Sequence, residues 1–166
     1  MLLKTKKINF FPALFLCLFI CVLSFISCQT IDLYEKVVSI PKQEWQSSFK
    51  PQFKFDIRDT TVPYQMYILL RHNEKYEFNN IWVKLNAQAP GDTAKYFSLE
   101  LPLANNEGWM GTAMDDLYEH RIAVTLDPAI FSFNKPGEYT FTLEQIMRKD
   151  PLENVLNVGL RIEKKP

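Results

Sequence analysis

The chain has 166 residues, 19 Lys+Arg balanced by 19 Asp+Glu, and a hydrophobic fraction of 47%. That length suits one domain, and the lack of excess positive charge excludes a nucleic-acid binder that works by neutralising phosphates. The three cysteines, Cys17, Cys21 and Cys28, all fall in the first 28 residues, so nothing beyond Cys28 offers a thiol for a disulfide, a metal or covalent catalysis.

Lys4, Lys6 and Lys7 open the chain, no charge occurs from Phe10 to Ile26, and Phe25-Ile26-Ser27 precedes Cys28. A basic start followed by an apolar run is how secretory signals are recognised, and small Ser27 suits a peptidase pocket that reads small side chains. The stretch is similar to bacterial lipoprotein signals, with Phe25 where Leu is usual, and that resemblance implies acylation of the Cys28 thiol. Residues 1–27 are thus expected to be a lipoprotein signal peptide, 28–45 a lipidated N-terminus and tether, and 46–166 the folded domain. An uncleaved spanning anchor is the competing reading, because the run approaches the ~20 apolar residues that cross a bilayer. The stop at Ser27-Cys28 and the polar Gln29-Thr30-Ile31-Asp32 favour cleavage. Either way the domain is tethered and extracytoplasmic, and loss of the three leader lysines gives it about three net negative charges.

Beyond the tether, Ile31 to Ile40 can hold a first strand, and Pro41 to Trp45 reads as one helical turn with Pro at its start. Alternation then becomes clear: Phe49, Phe53, Phe55 and Ile57 share one face, and Lys54, Asp56 and Arg58 the other. Asp59 to Pro63 breaks the run, and Tyr64, Met66, Ile68 and Leu70 resume it up to Arg71. His72 to Lys75 reads as a turn. Ile81, Val83, Leu85 and Ala87 alternate with Trp82, Lys84 and Asn86, and Ala89-Pro90-Gly91-Asp92 supplies strong turn chemistry. Phe97, Leu99, Leu101 and Leu103 form another strand, with Pro102 pointing to an edge or a bulge. Asn105 to Thr112 is a polar loop around Trp109, flanked by Gly108 and Gly111. Ile122, Val124 and Leu126, then Tyr139, Phe141 and Leu143 after Pro136-Gly137, then Leu156, Val158, Leu160 and Ile162 complete the set. Seven or eight short strands without a long helical period predict an all-β fold, an antiparallel β-sandwich of immunoglobulin-like or jelly-roll type.

The polar residues argue for no catalytic set. His72 and His120 are the two histidines, and Asp116 with His120 would share a face only if 115–120 were helical, giving two ligands where a metal needs more. No catalytic residue, metal site or cofactor is expected. Trp82, Trp109 and Tyr67 are candidates for a sugar-stacking platform, because flat rings combine a large apolar contact with a polar edge. The loop Gly108-Trp109-Met110-Gly111 is the favoured working surface, since a Trp on a glycine-held loop can anchor a partner or plug the end of the sandwich.

Phe53-Lys54-Phe55-Asp56-Ile57-Arg58-Asp59-Thr60, Ile68-Leu69-Leu70-Arg71-His72-Asn73 before Tyr76, and Asn80-Ile81-Trp82 together resemble the gliding-motility lipoproteins of the GldH type. The loop Leu103-Ala104-Asn105 to Gly108-Trp109-Met110-Gly111, Gly137-Glu138-Tyr139, Gln145-Ile146-Met147-Arg148 and the tail Val158 to Lys164 extend the likeness through the mature chain. The resemblance implies an outer-membrane-associated lipoprotein facing periplasm or surface, required for gliding and linked to the type IX secretion machinery. It carries no catalytic residues to transfer. Its partners would be the membrane, through lipid on Cys28, and other gliding or secretion proteins of the envelope; the alternative function is a surface glycan-binding lipoprotein using exposed Trp residues.

Overall fold

The computed structural model describes residues 33–165, so the signal peptide, Cys28 and the start of the tether lie outside it. In chain order the strands are β1 (Leu33–Ser39), β2 (Glu44–Trp45), β3 (Gln52–Ile57), β4 (Tyr64–Asn73), β5 (Asn80–Gln88), β6 (Lys95–Pro102), β7 (Ala104–Asn105), β8 (Gly108–Trp109), β9 (Thr112–Met114), β10 (Leu117–Val124), β11 (Gly137–Gln145), β12 (Leu152–Glu153) and β13 (Val155–Lys164). Period-two alternation accounts for the long ones. In β3, Phe53, Phe55 and Ile57 are buried while Gln52, Lys54 and Asp56 are exposed, and Met66, Ile68, Leu70 and His72 form the inward set of β4.

Two antiparallel sheets result, one ordered β1-β13-β4-β10-β9 and the other β3-β11-β5-β6. Among the eight strands of six or more residues, first pairs with last, second with seventh, third with sixth and fourth with fifth: β1–β13, β3–β11, β4–β10 and β5–β6. This is one long hairpin wrapped across itself, so of the two expected sandwich types the strand order is that of the jelly roll. β6 is a sheet edge, where Pro102 needs no ladder partner for its missing N–H.

The wrapping sorts the connections into two ends. Segments 40–51, 74–79, 103–116 and 146–154 lie at the far end, tied together by the β2–β12 pair and by bonds such as Leu103 N–H to Asn79 O (2.8 Å) and Asn73 N–H to Asn154 O (3.2 Å). Segments 58–63, 89–94 and 125–136 lie at the entry end, where β1 begins with Leu33 opposite Glu163 and Lys165 N–H bonds Pro63 O. Between the ends, Ile68, Leu70 and Leu160 of one sheet and Phe53, Phe141, Leu85 and Leu143 of the other are fully buried. Each such side chain contributes about 1.5–3 kcal/mol through its removal from water. Aromatic rings close the entry end, with Phe55 stacked on Phe141 at 5.5 Å and Phe131 edge-on to Phe141 at 5.6 Å.

Three local expectations are corrected. The turn at Pro41–Gln43 is 3-10 and not a regular helical turn: Lys42 and Gln43 take φ of 56° and 60°, and the chain passes straight into β2, where Trp45 is buried against Leu152. The indole N–H of Trp45 is satisfied by Phe49 O at 2.9 Å. His72 is not a turn residue but the last inward position of β4. Asp115 and Asp116 form the turn between β9 and β10, with Asp115 at φ 54°, so the helical condition for an Asp116–His120 face is not met. At the start of β13 a bulge between Val155 and Asn157 turns Val155, rather than Leu156, toward the core.

Candidate functional site

The loop that joins β6 to β10 folds over the far end and covers a histidine pair. His72 ends the inward row of β4 and His120 belongs to the inward row of β10. The register Tyr118↔His72 and His120↔Leu70 sets the two imidazoles diagonally across the neighbouring strands. Their Nε2 atoms are 2.9 Å apart and the rings stack at 19° between planes. The rings are buried, with residue exposures of 0% and 3%.

Proton positions follow from the partners. His72 Nδ1 lies 2.8 Å from Asn73 O, and a carbonyl can only accept, so Nδ1 carries the hydrogen. Neutral His72 then has a bare Nε2, and His120 Nε2–H donates to it. Burial pushes both imidazoles below the ordinary histidine value, His120 to about 4 with a further contribution from neighbouring His72. Burial likewise pushes the adjacent Tyr76 phenol up, and its hydroxyl donates to Asn80 O at 3.0 Å. The site is therefore a neutral, closed polar pair inside an aromatic shell.

Trp109 supplies the cover. Its ring centroid is 4.4 Å from that of His72, 5.6 Å from Tyr118 and 6.3 Å from Tyr76. The glycines on either side have different jobs. Gly108 sits at φ +120°, which L side chains rarely adopt, and turns the chain from β7 into β8. Gly111 has no room for a side chain: a Cβ there would stand 2.7 Å from Glu119 O and 2.9 Å from His120 Nε2. Met110 N–H fastens the loop to Leu103 O at 2.9 Å. Half-buried Trp109 thus covers the pair while Met110 and Met114 beside it are 47% and 43% exposed.

The other ring candidates lie elsewhere. Trp82, 39% exposed, stands on the outer face of the four-stranded sheet between buried Ile81 and Val83. Tyr67 stands on the outer face of the five-stranded sheet, its ring covered by the Arg121 guanidinium at 4.1 Å. With Trp109 on the β7–β8 hairpin, the three rings occupy separate sheets and form no common platform. Asp116 is exposed at a hairpin tip while His120 is buried, so the two do not share a face. Among the described residues no group of three or more His, Cys, Asp or Glu is gathered for a metal. The histidine pair was legible in principle from phase: 72 continues 66, 68 and 70, and 120 precedes 122 and 124.

Comparison with known proteins bears on the whole of this fold. A family model described as GldH lipoprotein matches residues 32–162. A "Gliding motility lipoprotein GldH homolog" of Christiangramia forsetii is 28% identical over 151 residues, covering 86% of this chain and 90% of that protein. The "Gliding motility lipoprotein GldH" of Flavobacterium johnsoniae is 26% identical over 147 residues, covering 84% and 89%. Among solved structures, a chain from the infectious bursal disease virus Gx strain overlaps 83% of this chain and 33% of its own length, at 10% identity and a TM-score of 0.31, too low to bear on the assignment. The family match spans nearly all of β1 to β13, including the Trp109 loop and both histidines, and the chain belongs to the GldH lipoprotein family.

Proposed function

We propose that this chain is a lipid-anchored envelope protein that serves gliding motility and the linked type IX secretion machinery by protein contact rather than catalysis. The observation that carries the reading is the family match across residues 32–162, together with relatives of nearly the same length that bear the gliding-motility name. Cys28, following Ser27 at the end of an uncharged run, is the lipid attachment point, with residues 1–27 removed as the signal peptide and the mature chain held at the outer membrane.

The geometry of the far end supports contact over chemistry. The two histidines spend their facing nitrogens on one another, so neither is aimed at solvent. The Trp109 loop instead offers half-buried indole and exposed Met110 and Met114, a soft apolar patch of the kind that adapts to a protein partner. Deletion of the gene in its own bacterium is expected to abolish surface spreading or, in a host that does not spread, release of type IX cargo. Retention of both would sink the proposal.

A further inference from the structure

We propose that the entry end of the sandwich rests on the bilayer surface, leaving the Trp109 end pointing away from it. The inference rests on the reading of Cys28 as the lipid site. Leu33 is five steps along the chain from Cys28, and a chain reaches at most ~3.6 Å per residue, so the anchor lies within about 18 Å of the start of β1. β1 starts at the entry end, where Leu33 pairs with Glu163 and Glu163 with Gln65, one residue from the start of β4, and so brings segments 58–63, 89–94 and 125–136 to the membrane. The His72–Trp109 cluster stands eight residues farther along β4, roughly 27 Å away at ~3.4 Å per residue.

Charge and apolar exposure at the two ends agree with that orientation. The entry-end connections, with Lys165 after β13, are balanced: Arg58, Lys135 and Lys165 against Asp59, Asp92 and Asp127. The far-end connections carry five basic residues against eight acidic ones, Glu107, Asp115 and Asp116 among them around the Trp109 loop. An anionic leaflet therefore repels the acidic far end and not the balanced entry end. The entry end also exposes Tyr96, at 66%, and Ile130, at 47%, and the ammonium of Lys95, next to Tyr96 in sequence, is bonded to Ile130 O. An aromatic with a polar tip, an aliphatic side chain and lysines together fit the head-group boundary, where rings sit with one end apolar and the other wet. An open cavity of about 510 Å³, lined by Val62, Pro63, Leu126, Pro128 and Phe133, opens on the same end and adds apolar surface to it. The occupant is thus a phospholipid bilayer.

The mature chain has no cysteine besides Cys28, so one introduced cysteine can be labelled alone if the native thiol is acylated. The test uses the full lipoprotein, purified from membranes and placed in vesicles of phosphatidylethanolamine and phosphatidylglycerol with brominated acyl chains. A fluorophore is attached at Ile130→Cys, at Tyr96→Cys or at Met110→Cys. Side chains seated ~5–10 Å into the boundary give several-fold stronger bromine quenching at 130 and 96 than at 110. Equal quenching at all three positions, stronger quenching at 110, or none at any while Cys28 stays acylated would each overturn the orientation. Maleimide uptake by the protein without an introduced cysteine would instead show a free Cys28 thiol, and the lipid reading would fall first.

Discussion

One proton lies between His72 and His120, and the tautomers that place it there leave both rings neutral. Because their folded values are lowered, His120 to about 4, the unfolded chain binds protons in a range where the folded chain does not. Stability is therefore complete above the ordinary histidine value of ~6.5 and falls as the pH drops toward 4, by up to ~1.4 kcal/mol per pH unit for each ring. Urea unfolding at pH 7.5 and pH 5 is expected to differ by about 2 kcal/mol or more, with the lower stability at pH 5. Equal stability at the two values would mean that the pair accepts protons as readily folded as unfolded. Glu119, next to His120 in sequence, does not soften this effect by pairing with the ring, since it is bonded to Arg71 on the outer face. Gly111 tests the cover over the same pair. A methyl group at 111 meets a backbone carbonyl that cannot swing away, so Gly111→Ala is expected to lose about 1–3 kcal/mol in denaturant unfolding. An unchanged midpoint would show that the loop is not held against His120.

At the scale of elements, β1 is the strand that joins the tether to the fold, and it is held on one side only, by β13. Gly159 makes that docking close: a Cβ there would lie 2.7 Å from Lys36 O and 3.0 Å from Val37 Cγ2. Gly159→Ala is expected to loosen β1 specifically, speeding exchange of the Leu33–Ser39 amides about tenfold, the equivalent of ~1.4 kcal/mol, while β4 and β10 amides keep their protection. Uniform acceleration of all three strands would contradict a local role. The same elements mark what was legible in the sequence. Phe53-Lys54-Phe55-Asp56-Ile57 declares its strand because each side chain reports its own face, and Pro102 announces an edge because a missing donor is a local property. His72 was read as a turn because its polarity breaks the apolar row, and the partner that makes it buriable is 48 residues away. The Val155 bulge is hidden for a related reason: placing two outward residues, Leu156 and Asn157, opposite the single Arg71 is decided by what β4 presents, not by β13 itself.

Across the whole molecule, strand order depends on pairings such as Leu33 with Glu163, which join nearly the two limits of the described chain. Alternation specifies faces and leaves such partners open, which is why both immunoglobulin-like and jelly-roll sandwiches fitted the pattern. The working surface was half legible: Gly108 and Gly111 around Trp109 marked the loop, but the histidines beneath it come from β4 and β10 and emerge only once those strands are paired. On the proposed orientation the two ends divide by function, lipid at the entry end and protein at the far end. A photo-crosslinking residue replacing Met114, exposed beside Trp109, is therefore expected to capture an envelope protein in living cells, and one replacing Tyr96 is not. Trp109→Ala is expected to weaken the Met114 crosslink about tenfold or more, since a central Trp in an interface carries ~2 kcal/mol or more. Cellular level and membrane fractionation of the variant serve as the control, because Trp109 also packs on His72 and its removal is a cost to the fold. A crosslink that forms at Tyr96 and not at Met114 would place the protein partner at the end assigned to the bilayer, and would reverse the polarity of the molecule.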